Sequence, residues 1–240
     1  MIYDNEALRL HETLQKLKTI SGNTRLSDAF AVVLQVDAKN LSKVLIGIGQ
    51  LNTYVDSIAQ YCKDSPSIAL QFERWSPKIN QAFSTIHINN ALSQFTQYYN
   101  EEVLFLIKTT HLALTERIEH KIILEKEKID QLIVELEELK QDFESKDISP
   151  SVKSYILNQL NELINNLKQY EILGSSNIQG TIESSIGHLI TSDEYANFMK
   201  TDPLGRSLLD KLVAIGAGLQ IIESGTQILV NTQQYLANVC

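Results

Sequence analysis

Cysteine is nearly absent: Cys62 and Cys240 are the whole complement. Two such distant residues give neither a disulfide framework nor metal-ligand spacing, and a reducing cytoplasm suits them best. Basic residues are also in short supply, 21 Lys and Arg against 29 Asp and Glu for a formal net charge of -8. Phosphate neutralisation needs clustered Lys and Arg, and no cluster occurs, which argues against nucleic acid as a partner. The longest apolar uncharged run, Leu212 to Ile222, falls well short of the roughly 20 residues that span a bilayer. No secretory signal is expected in Met1 to Glu6, which is polar and acidic where a signal would start positive and turn apolar. Period-two alternation between hairpin turns is missing throughout, so no β-sheet is expected.

What the chain does have is helical periodicity. From Asn100 to Lys146 neither proline nor glycine intervenes. Leu104, Ile107, His111, Leu114, Ile118, Ile122, Glu125, Ile129, Leu132, Leu136, Leu139 and Phe143 follow one another at steps of three and four, with one stutter between Leu114 and Ile122. The spacing predicts one helix about 70 Å long. Its seam would be too long for its own domain to cover, which marks Leu114, Ile118, Ile122, Ile129, Leu132, Leu136, Leu139 and Phe143 as interaction residues. The polar seam positions His111 and Glu125 would set register. Between Glu125 and Asp147 nine acidic residues face four lysines, a solvated face or an acidic docking surface.

The remaining chain is also helical. Ala7, Leu10, Leu14 and Leu17 mark a first amphipathic helix, ended by Ser21-Gly22-Asn23. Ser27 would cap a second, and Asp37 a third whose buried stripe is Leu41, Val44, Leu45, Ile48, Leu51, Val55, Ile58 and Ala59. Gly47 and Gly49 inside it imply close approach of a neighbouring helix. All four prolines follow a capping residue, Ser65-Pro66, Ser76-Pro77, Ser149-Pro150 and Asp202-Pro203, so each is read as opening a helix. Trp75 is read as a core anchor. The stripe Val152, Ile156, Leu160, Leu163, Leu167 and Tyr170 predicts a helix folding back antiparallel on the long one. The expected fold is all-α: a single elongated domain over 1–240, with an N-terminal helical bundle (1–99), a long coiled-coil-like hairpin (100–173) and C-terminal helices (174–240).

The sequence specifies no reacting group. Glu116, Glu119 and His120 lack the Glu-x-x-His spacing of helical di-metal sites. His111 is read as a core or register-setting residue, and His11, His87 and His188 have no evident carboxylate or cysteine partner. Gly47-Ile-Gly49-Gln-Leu-Asn52 and Gly216-Ala-Gly218 have no preceding strand and no Gly-Lys-Ser/Thr ending, so they do not make phosphate loops. No nucleophile elbow or metalloprotease helix occurs. No cofactor or metal is expected, and the chain is read as a non-enzyme.

The block Ser149 to Gly174, with Leu157, Leu160, Leu163 and Leu167 leading to Tyr170, Ile172 and Gly174, is similar to a block in uncharacterised all-helical bacterial proteins, some encoded near mobile elements or phage-defence genes. The resemblance implies a bacterial cytoplasmic protein and carries over no catalytic residue. The expectation is a helical interaction or scaffolding protein that docks on a protein partner or a second copy, as an accessory or regulatory component of a defence or toxin system. The alternative is a membrane-active effector, soluble at rest, using the small-residue-rich segment Leu204 to Leu236 and the Leu41 to Ala59 stripe.

Overall fold

Apolar residues at three- and four-residue steps, punctuated by Ser, Asn and Asp caps, fold most of this chain into short amphipathic helices. The computed structural model describes residues 3–63, 65–115, 121–122 and 125–218. In chain order these form β1 (Tyr3–Asp4), α1 (Glu6–Thr19), α2 (Leu26–Leu34), α3 (Leu41–Cys62), α4 (Pro66–Ser84), α5 (Ser93–Thr96), α6 (Glu101–Thr115), β2 (Lys121–Ile122), α7 (Lys126–Ser145), α8 (Pro150–Lys168), α9 (Tyr170–Leu173), α10 (Ser176–Thr191), α11 (Asp193–Thr201) and α12 (Pro203–Gly218). The class is all-α. Extended pairing among the described residues is limited to β1 with β2 and an isolated bridge between Arg25 and Ala91.

The chain divides into two compact units, Met1–Lys121 with Glu171–Leu173, and Ile122–Tyr170 with Gly174–Cys240. The 70 Å helix is corrected. α6 ends at Thr115, Lys121–Ile122 is extended, and α7 begins only after Glu125, whose backbone is extended at φ -60° and ψ 142°. Each half of the heptad pattern buries its own stripe in its own unit, so the periodicity survives a break in the helix. The break falls where the stutter lies.

In unit 1, α6 packs on α1 and α4, and α3 packs on α1, α2 and α4. Trp75 is fully buried, as expected of an anchor, and Phe95 sits edge-on to Phe30, Phe83 and Tyr99 with ring centroids 5.4, 5.5 and 5.9 Å away. Ile172 and Leu173 are buried in the same core, and the Tyr54 hydroxyl donates to the Ile172 carbonyl at 2.9 Å. Gly47 was read correctly: a Cβ there would lie 2.6 Å from Leu34 Cδ1. Gly49 has nothing within 4 Å, so close approach does not explain it.

In unit 2, α7 and α8 form the hairpin, shortened to about 30 Å by the 20 residues of α7. The Lys153 ammonium donates to the Glu144 carbonyl, while Lys168, further along α8, pairs with Glu137, earlier on α7. The two helices therefore run antiparallel. α10 packs on α8 and α11, and α12 on α11 and α7. Gly205 permits the α11–α12 turn, since a Cβ there would lie 2.7 Å from the Phe198 carbonyl oxygen.

Three prolines open helices, Pro66, Pro150 and Pro203, and the Ser149 and Asp202 side chains accept from the amides of Val152 and Leu204. Pro77 does not: it lies inside α4. The buried face formed by Ile68, Trp75, Ile79, Ala82 and Phe83 holds that helix together through a residue with no N–H to donate. Asn40 rather than Asp37 caps α3. α2 begins at Leu26, one residue before Ser27. Asn100 caps α6 through the Val103 amide.

Candidate interaction surface

The seam residues are divided between two interiors. Leu114 is buried in unit 1. Ile129, Leu136, Leu139 and Phe143 are buried in unit 2, with Leu132 packed against them. Ile122 belongs to β2, and Ile118 lies outside the described residues. α8 and α12 cover the α7 stripe, and the rest of unit 1 covers the α6 stripe, so Leu114, Ile129, Leu136, Leu139 and Phe143 serve as core.

Many of the polar groups that could have carried chemistry are engaged structurally, while His11 Nδ1 and Thr13 Oγ1 are buried without a hydrogen bond. The Asn5 amide donates to the His111 carbonyl at 3.3 Å while its oxygen caps α1 through the Leu8 amide. The Tyr99 hydroxyl donates to the Leu14 carbonyl, and burial pushes its phenol well above the ordinary value. Along α8 and α10, Asn166 donates to the Asn177 carbonyl and to Thr181 Oγ1, Ser185 donates to Gln159 Oε1, and the Tyr155 hydroxyl donates to the Ser184 carbonyl. His188 stacks on Tyr155 with centroids 3.8 Å apart. Tyr195, edge-on to Tyr155, is also raised by burial. These contacts set helix register, and none leaves a nucleophile beside a base.

Among the described residues no group of three or more His, Cys, Asp or Glu is placed to hold a metal ion. Glu116, Glu119 and His120 lie outside the described residues. Gly47 to Asn52 is mid-helix in α3, and Gly216 to Gly218 ends α12. Cys62 is buried, and burial raises its thiol. No described helix is long and apolar enough to cross a membrane. Of the segment Leu204 to Leu236, the part in α12 buries Leu208, Leu209, Leu212 and Ile215 in unit 2, and residues 219–236 lie outside the described residues.

Several apolar side chains stand exposed, Phe105 and Leu112 on α6 among them, and three of them group on the outer face of α3. The buried arc of this helix carries Val44, Gly47, Ile48, Leu51, Tyr54, Val55 and Ile58. Leu41 and Leu45, both assigned to that arc from the sequence, lie outside it, at 39% and 44% exposure, next to Ile46 at 61%. At 100° per residue Leu41, Leu45, Gly49 and Ile46 share one side of the first two and a half turns. Polar Asn52, Thr53 and Asp56 take over that side beyond them. One signal was legible beforehand: Leu45 and Ile46 are adjacent, and neighbours in a helix cannot both sit at the centre of one buried stripe. The stripe expected from the sequence is too wide by Leu41 and Leu45. Lys39 and Lys43 border the patch, both exposed, and no carboxylate occurs from Ala38 to Val55.

No family model, curated protein or solved structure matches this chain.

Proposed function

We propose that this is a non-enzymatic helical interaction or scaffolding protein, an accessory or regulatory component of a bacterial defence or toxin system acting in the cytoplasm. The observation that carries the reading is the exposed apolar patch of Leu41, Leu45 and Ile46 on the outer face of α3, bordered by Lys39 and Lys43. Apolar side chains grouped on a helix face and bordered by charge are the common form of a docking site. The setting rests on the resemblance of Ser149 to Gly174, and the docking role on α3.

The test is site-specific photo-crosslinking in the native host. A photoreactive side chain at position 45 is expected to give a discrete protein adduct. The same group at the exposed polar position Gln60, on the same helix beyond the apolar patch, is expected to give none. Equal labelling from both positions, or none from position 45, counts against the reading.

A further inference from the structure

We infer that the occupant of the α3 patch is the outer face of α7 in a second copy of this chain, an inference that rests on the docking role proposed for α3. The two faces complement each other. On α3 the apolar centre of Leu41, Leu45 and Ile46 is bordered by Lys39 and Lys43, and neither ammonium has a carboxylate partner among the described residues. The nearest carboxylates in sequence are Asp37, whose oxygen accepts from the Lys39 amide, and Asp56, beyond the patch.

On α7 the charges sort by face. Glu135, Glu137 and Glu144 are paired, with Lys211, Lys168 and Lys140. Glu127, Asp130, Glu138 and Asp142 have no cationic partner among the described residues, and all four are exposed. At 100° per residue these four lie in one stripe, with Val134, 54% exposed, near its centre. Lys126 and Lys128 flank the stripe at its N-terminal end, off its axis. An apolar centre with an unpaired basic border on one helix thus meets an apolar centre with an unpaired acidic border on another, the arrangement that selects a partner electrostatically.

The two faces lie on different helices, so every copy carries one of each and the contact joins α3 of one copy to α7 of another. The patch is small, so the association is weak and dependent on salt.

The test uses the full chain and two variants built from exposed positions, one with Lys39→Gln, Lys43→Gln and Leu45→Gln, the other with Asp130→Asn, Val134→Gln and Glu138→Gln. Circular dichroism checks that both keep the helical content of the parent. In sedimentation equilibrium at low salt the parent chain is expected to exceed its 27.1 kDa monomer mass progressively with concentration, and raising salt severalfold should weaken association about tenfold. Each variant alone is expected to stay monomeric. Mixed, they retain one intact pair of faces and should form a one-to-one dimer that does not grow. A parent that stays monomeric at low salt overturns the inference. So do variants that still associate alone, or a mixture that stays monomeric. Vesicles of phosphatidylserine that bind the parent but not the α3 variant would also overturn it, by assigning the patch to lipid. If the parent is monomeric while position 45 still crosslinks to a different host protein, the docking role stands and only self-assembly falls.

Discussion

The Trp75 indole N–H donates to Thr110 Oγ1 across 3.1 Å in the interior of unit 1, tying α4 to α6. The Thr110 hydroxyl spends its own hydrogen on the Leu106 carbonyl at 2.9 Å, so both groups are satisfied in a place without water. Thr110→Val keeps the volume and strands the indole donor. The expected cost is about 1–3 kcal/mol, the usual range for a buried polar group left unpaired. Trp75→Phe leaves the threonine bonded to Leu106, so its cost comes from lost volume rather than an orphaned donor. The double variant is expected to lose less than the sum of the two, by about 0.5 kcal/mol or more. Urea unfolding followed by circular dichroism checks this, since Trp75 is the only tryptophan available as a fluorophore.

Gly47 and Gly49 make a matched pair for separating packing from propensity. A Cβ at position 47 would meet both methyls of Leu34, at 2.6 and 2.8 Å, and Leu34 is fully buried. Gly47→Ala is therefore expected to destabilise by about 1–3 kcal/mol despite alanine's better helix propensity. Gly49→Ala meets nothing and should stabilise by about 0.5–1 kcal/mol. Opposite shifts in the urea midpoint are the expected result. Shifts of the same sign would show that the α2–α3 contact is more yielding than the distances imply.

These two glycines also show where the sequence was legible. Helical periodicity exposed the class, the caps at Ser149 and Asp202, and the α7–α8 reversal, because each is a local consequence of spacing or of one side chain beside one amide. Two residues apart in the same helix, Gly47 and Gly49 look alike in sequence. Only the position of Leu34, set by the packing of α2, distinguishes them. The break after α6 was hidden for a related reason. Two helices that each bury a stripe can preserve a common heptad phase, so continuity of pattern does not establish continuity of backbone. The α3 patch was hidden because its leucines continue the buried stripe by spacing and leave it by only a few tens of degrees. Pro77 was misread because a serine precedes it, whereas tertiary burial of its neighbours decides the matter.

If the α7 stripe is core and not a docking seam, its variants should fail as core variants do. Leu136 is fully buried in unit 2 while Val134, two residues earlier, is 54% exposed. Leu136→Ala is expected to cost about 2–5 kcal/mol, and Val134→Ala less than about 0.5 kcal/mol. Thermal unfolding of the two variants distinguishes the cases. A Leu136→Ala protein as stable as its parent would return the seam to the surface.

Two ion pairs give unit 2 an acid-sensitive term. The Lys211 ammonium donates to Glu135, and the Lys146 ammonium to Asp202 at 2.9 Å, joining α7 and the α7–α8 link to α12 and the residue that caps it. Each lysine's hydrogen bond holds its partner carboxyl below the ordinary value, with the Leu204 amide adding to the effect at Asp202. A carboxyl lowered on folding stabilises the folded state at pH above its unfolded value, about 4 for both residue types, and that contribution disappears as pH falls through the lower folded value. The contribution should thus be flat from neutral pH to about pH 5 and should fade below about pH 4. The carboxyls are partly solvated, at 28% and 20% exposure, so each pair is expected to contribute no more than about 1 kcal/mol. Lys211→Met should lower the urea midpoint at pH 7, and by progressively less as the pH falls below about 4 and Glu135 takes up its proton. A Lys211→Met penalty that persists undiminished at pH 2.5 would mean that the lysine stem, and not its charge, holds α7 against α12.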